Sequence, residues 1–167
     1  AWVDYDIKPY TGTLDDKPPG IIILNTVSYL IFDIGFFPIR LLGLVCIILT
    51  SITIVKISEL LDRRESGYFS AVVFSLSMMW NCFNGPYLGQ SEIFMVFFSV
   101  VANYFLLRFL LKPYFFHLLI IGGAFGVSTV FKQVSGLILL SSFIMILINF
   151  NWRKSLKFCF AIGSSFI

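Results

Sequence analysis

The stretch KISELLDRRES, residues 56–66, joins two apolar runs at 41–57 and 67–83. A helix that crosses a bilayer needs about 20 predominantly apolar residues, with a range of about 17–25. With their flanking residues both runs reach that length, and both end at this one charged link. The stretch reads as the turn between two membrane helices, held outside the hydrocarbon by its charges.

Working outward, the same pattern repeats. Further apolar runs lie at roughly 20–32, 93–107, 114–131, 134–150 and 156–167. The 167-residue chain is 58% hydrophobic, 18% aromatic and 13% charged, with a mean hydropathy of +0.92. Soluble domains carry about 25% charged and about 45–50% apolar residues. A chain of this length cannot hide so much apolar surface in one core, because much of any small fold faces solvent. With lipid as that solvent the composition is consistent. The expected fold class is an all-α integral membrane protein, a polytopic helical bundle.

The run GIIILNTVSYLIF, residues 20–32, differs from the others. It lies between Pro19 and Asp33, is short, and contains Asn25, Thr26 and Ser28. Such a segment more often lies in the interface or re-enters than spans. The expected organisation is an external loop over 1–19, an interfacial or re-entrant helix over 20–34, and a bundle over 35–167. That bundle would hold about six spans, the last truncated. The first residue is Ala, and the last segment stops while still apolar, so the chain is expected to be a piece of a longer protein.

Charge sets the sides. The links 56–66, 108–112 and 153–157 hold eight of the twelve Lys and Arg, whereas those at 33–40, 84–92 and 131–133 hold only Arg40 and Lys132. This alternation matches the positive-inside rule, with the basic links cytoplasmic. Asp4, Asp6, Asp15, Asp16, Asp33 and Glu92 then share the outer face, six of the nine carboxylates. The basic residues form no stripe, and the net charge of +3 carries no nucleic-acid signal. Cys46, Cys82 and Cys159 sit apart in apolar runs, a spacing that fits neither a disulfide framework nor a zinc site. Gly122 and Gly126 form a G-x-x-x-G that reads as close helix packing. His117, near a cytoplasmic helix end, reads as an interfacial residue.

KPPG at 17–20 leads a short apolar helix, followed by a link with Gly35 and Arg40 and by Arg63-Arg64 at a cytoplasmic link. SEIF at 91–94 opens the next outer helix start, and FKQ follows at 131–133. This order resembles the GT-C glycosyltransferases that use polyprenyl-phosphate sugars. It resembles especially the branch of the protein mannosyltransferases and aminoarabinose transferases, of glycosyltransferase family 39 type, in their N-terminal half. The resemblance implies a GT-C-like fold and an inverting membrane glycosyltransferase. Its partners would be a polyprenyl-phosphate sugar donor, a glycan, lipid or protein acceptor, and the bilayer, on the external or luminal side. A multi-pass protein of a prokaryotic plasma membrane fits better than one of the endoplasmic reticulum.

Transfer at the anomeric carbon needs a carboxylate to take the acceptor proton, and the departing phosphate needs a cation. The resemblance implies Lys17 as the phosphate-binding cation and Asp16 as a site acid, which in some members holds a divalent metal ion. Glu92 matches the family's second outer acid, at a later helix start. Asp15, Arg40 and Lys132 are the further substrate-binding candidates. The family's principal base lies upstream of Lys-Pro. Asp4 or Asp6 could stand on that side, with Asp4 the catalytic candidate, although WVDYD at 2–6 better fits the Tyr-x-Asp found just ahead of Lys-Pro. Two other classes remain open on the residues alone: a transporter or flippase fragment, and a non-catalytic assembly subunit. The charges gather at segment ends rather than at mid-membrane, which favours interfacial chemistry.

Overall fold

The structure is a computed structural model that describes residues 18–32, 37–83 and 90–166. Seven helices follow one another among them: α1 (Pro19–Phe32), α2 (Phe37–Leu60), α3 (Arg64–Phe83), α4 (Ser91–Leu111), α5 (Phe115–Phe131), α6 (Ser135–Asn149) and α7 (Trp152–Phe166). No strand occurs among the described residues. The helices coincide with the apolar runs because the charged, Gly- and Pro-bearing links break them. The first helix starts one residue earlier than the expected 20, and is described only to Phe32.

The link inside KISELLDRRES closes in a compact way. Leu61, Asp62 and Arg63 donate their amides to Ser58 O, Glu59 O and Ser58 O at 3.1, 3.2 and 2.9 Å. Asp62 stands in the left-handed region, at φ 55°. This is the Schellman arrangement, which satisfies the last carbonyls of a helix. Arg64 Nε bridges back to Glu59 Oε1 at 3.0 Å. Gly67 then lets α3 approach α2, since a Cβ there would stand 2.6 Å from Ser58 Cβ.

The interior packs large apolar side chains, Phe94, Phe109 and Phe125 among them, around a set of small buried hydroxyls, and large aliphatics also cover the exterior. Thr50, Ser99, Ser128, Ser135, Ser142 and Ser155 are buried, while Leu44, Ile48, Leu76, Leu137, Leu140 and Ile148 face outward. Helices in lipid gain nothing by hiding leucines from each other's surroundings. They associate instead through close packing of small residues and interhelical hydrogen bonds. Ser51 Oγ meets Ser75 Oγ at 2.8 Å between α2 and α3, and Ser99 Oγ meets Ser128 Oγ at 2.8 Å between α4 and α5. α2 and α4 are long and apolar enough to cross a membrane. At 1.5 Å per residue the 14 residues of α1 cover about 21 Å, short of the roughly 30 Å hydrocarbon core. α6 and α7, with 15 residues each, are of similar length.

Two buried clusters define the two ends of the bundle. Ile39, Cys46 and Ile47 of α2 meet Ile93 and Phe94 of α4, Phe131 of α5, and Ile21 and Ile22 of α1. The first halves of α2 and α4 therefore lie side by side and the two helices run parallel. At the other end Phe109 of α4 meets Phe150 and Phe158, with ring centroids 5.5 and 5.0 Å apart. Glu59–Arg64, Lys112 and the start of α7 thus gather at one end. The first turns of α1, α2 and α4 and the last turn of α5 gather at the other. α5 is central, touching α1, α4, α6 and α7.

Candidate functional site

At the second of these ends the N-terminus of α4 lies beside the C-terminus of α5. Gln90 is extended, at φ −75° and ψ 140°, and Ser91 opens the helix, so Glu92 falls in its first turn. A carboxylate is favoured there by the partial positive charge of the unpaired amides. Lys132 caps α5 in an extended conformation, its amide donating to Ser128 O at 3.0 Å. A cation is favoured at that terminus for the converse reason. Because the helices are antiparallel neighbours, both preferences act at one place.

The side chains meet there. Lys132 Nζ donates to Glu92 Oε1 at 2.7 Å, across 40 positions of sequence. Ser91 Oγ donates to the other carboxylate oxygen, Oε2, at 3.2 Å. The two charged side chains are 44% and 40% exposed, Glu92 and Lys132 respectively, so the pair borders an accessible region rather than the core. Beneath it Phe131 stacks on Phe94 at 5.2 Å and on Phe98 at 6.2 Å. These rings make an apolar floor on the side facing the bundle.

Immediately behind the same turn comes α1. A Cβ on Gly20 would stand 2.8 Å from Val130 O and 3.0 Å from the Phe131 ring. The first turn of α1 thus rests on the backbone that leads into Lys132, and only glycine permits that approach. Arg40 stands in the first turn of α2 at this end, exposed, while its neighbour Ile39 packs with Ile93 and Phe94. Asp4, Asp15, Asp16 and Lys17 lie outside the described residues. The structure thus brings Glu92 and Lys132 into contact and keeps Arg40 at the same end. Among the described residues no three His, Cys, Asp or Glu side chains cluster as a metal site, and Asp16, the metal candidate, is outside them.

A groove of about 470 Å³ runs between α1 and the start of α2, lined by Leu24, Val27, Ile31, Phe37, Leu41 and Val45 among others. Ser28 also lines it, buried and with its hydroxyl unpaired. Two features escaped the sequence reading. One is the seat of Gly20, signalled only by a glycine directly after a double proline. The other is Ser128, signalled only by a hydroxyl in an apolar helix; its Oγ donates across to Met95 O at 2.9 Å.

No curated protein and no solved structure matches the chain. A family model described as dolichyl-phosphate-mannose-protein mannosyltransferase matches residues 16–166. The match takes in Asp16, Lys17, Arg40, Glu92 and Lys132 and leaves Asp4 and Asp15 outside it. Nearly the whole chain is covered, and the apolar helices agree with a membrane enzyme; the chain belongs to the dolichyl-phosphate-mannose-protein mannosyltransferase family, membrane glycosyltransferases of the GT-C type.

Proposed function

We propose that the Glu92–Lys132 end of the bundle receives the head of a polyprenyl-phosphate-linked sugar and transfers that sugar, with inversion, to an acceptor hydroxyl on the external face. The observation that carries this reading is convergence. Glu92 and Lys132, distant in sequence, meet at 2.7 Å, and Gly20, three residues after Lys17, packs on Val130 and Phe131 beside them. Exposed ion pairs contribute about 0–1 kcal/mol to stability, so folding alone gives little reason to put a half-exposed pair here.

In the proposed reaction the acceptor oxygen attacks the anomeric carbon on the face opposite the phosphate. The new C–O bond forms as the bond from that carbon to the phosphate oxygen breaks, and its electron pair stays on the phosphate. The acceptor proton passes to a carboxylate. Lys132 and Lys17 would hold the phosphate, with Arg40 and Asp15 at the margin of the head group. Glu92 is the described carboxylate for the proton, and Asp16 and Asp4 are the other acids proposed for the site. When the phosphate draws Lys132 away, Glu92 Oε1 becomes open to the acceptor. The groove between α1 and α2 suits the prenyl chain, because its lining is almost entirely apolar. Asp16 is also the residue proposed to hold a divalent ion in members that use one. The protein acts in this reading as a multi-pass enzyme of a prokaryotic plasma membrane, with the basic links in the cytoplasm and a glycan, lipid or protein as acceptor.

Exchanging the charges tests this. Glu92→Gln is expected to slow transfer by about 10²–10⁴-fold, the usual range for losing a general base. Lys132→Ala is expected to weaken donor binding by about tenfold or more, as a charge-assisted bond of about 1.5–3 kcal/mol is lost. The double exchange Glu92→Lys with Lys132→Glu restores the ion pair with its partners reversed. Inactivity of that protein at normal abundance supports the site. Recovery of wild-type turnover would reduce the pair to a structural tie.

A further inference from the structure

We propose that Ser128 is a positioning residue that sets the spacing of Glu92 and Lys132; this rests on the reading of that pair as the transfer site. Ser128 is fully buried one turn below the pair. Its side chain and its backbone reach the two partners separately. The hydroxyl donates across the helix boundary to Met95 O at 2.9 Å, three residues beyond Glu92 on α4. The carbonyl of the same residue accepts the Lys132 amide at 3.0 Å and so fixes the cap that carries the ammonium. One residue therefore ties the turn bearing the acid to the turn bearing the cation.

A hydroxyl has one proton to give. With that proton committed to Met95 O, the 2.8 Å contact between Ser99 and Ser128 makes Ser99 the donor and Ser128 Oγ the acceptor. The chain of hydrogen bonds runs from Ser99 through Ser128 to the α4 backbone. Loss of Ser99 leaves the tie to Met95 intact, whereas loss of Ser128 breaks it. The stacked rings of Phe131, Phe94 and Phe98 hold the same two helices together, and the hydroxyl tie adds a directional bond to that packing. In lipid no hydrophobic force presses α4 on α5, and their register depends on van der Waals packing together with interhelical polar bonds of this kind. A slip of one residue along a helix displaces a side chain by about 1.5 Å. A misplacement of about 1 Å at a reacting centre costs roughly 10²-fold in rate.

The test is a double-mutant cycle in the membrane-inserted enzyme, with insertion and thermal stability measured in parallel. Ser128→Ala is expected to lower kcat about tenfold while the donor KM stays within about twofold, a partial loss on the scale of that misplacement. Ser99→Ala is expected to keep most of the turnover. In a Glu92→Gln background, Ser128→Ala is expected to slow transfer no further, because the lost hydroxyl acts on the turn bearing the acid while the Ser128 carbonyl still holds the Lys132 cap. Equal slowing in both backgrounds, or equal loss in Ser99→Ala and Ser128→Ala, would overturn the positioning role. A second readout does not depend on activity. In a background without the native cysteines, residues 92 and 132 changed to cysteine should cross-link with a short bifunctional reagent. The added Ser128→Ala change is expected to lower that yield severalfold, and an unchanged yield overturns the proposal. Unchanged turnover in Glu92→Gln, with a Ser128-dependent yield, separates failure of the site reading from failure of the positioning.

Discussion

Asp62 holds a conformation that suits glycine better than an acid. At φ 55° its Cβ crowds the backbone, and the residue is kept there by the Ser58 and Glu59 carbonyls that close α2. Asp62→Gly is expected to stabilise the protein modestly, by about 0.5–1 kcal/mol, because the left-handed position then carries no side-chain penalty. Thermal unfolding in detergent checks this, and a lower midpoint would show that the carboxylate has a partner worth more than the strain. Residues of this kind mark the limit of sequence reading. KISELLDRRES was legible as a turn, since charge between apolar runs has few other uses. Which of its residues would take the left-handed position was not, because that depends on where the last helical carbonyls end. Glu92 and Lys132 were likewise legible singly, as ionisable groups at helix ends. Their contact was not, because it follows from how α4 and α5 pair.

At the scale of elements the runs and the helices agree closely, because lipid demands continuous backbone hydrogen bonding and the breaks are strongly marked. What the pattern omits is which helix touches which. The seat of α1 on α5 shows this. Pro18 and Pro19 supply fixed φ angles and no amide donors, a suitable entry to a helix whose first amides have no partner. Gly20 then meets Val130 O with no room for a methyl. Gly20→Ala is expected to displace the first turn of α1, at a cost of about 1–3 kcal/mol. The expected kinetic result is impaired donor use with normal insertion and abundance. Full activity in Gly20→Ala would mean that α1 is free to move without consequence for the site.

For the molecule as a whole, parallel α2 and α4 put the basic links at one end and the Glu92–Lys132 pair at the other. Single cysteines placed at Asp62 and Lys112, in a background lacking the native ones, are expected to react with an impermeant reagent only from the cytoplasmic side. Cysteines at Gln90 and Gln133 are expected to react only from the opposite side. Labelling of all four from one side would contradict the arrangement. This segregation was legible in the alternation of Lys and Arg, because charge bias acts on each link separately. The nearness of α1 to α5 was not, because it joins segments more than a hundred residues apart.

The Gly20 seat also bears on the order in which the protein is made. α1 leaves the ribosome early, but the backbone it rests on, at Val130 and Phe131, is translated roughly 110 residues later, on the order of ten seconds at about 5–20 residues per second. During that interval α1 has no α5 to lie against. A nascent chain halted before Phe131 should therefore leave α1, held only by α2 and α4, more open to protease than in the finished protein. Extending it past α5 should bring protection.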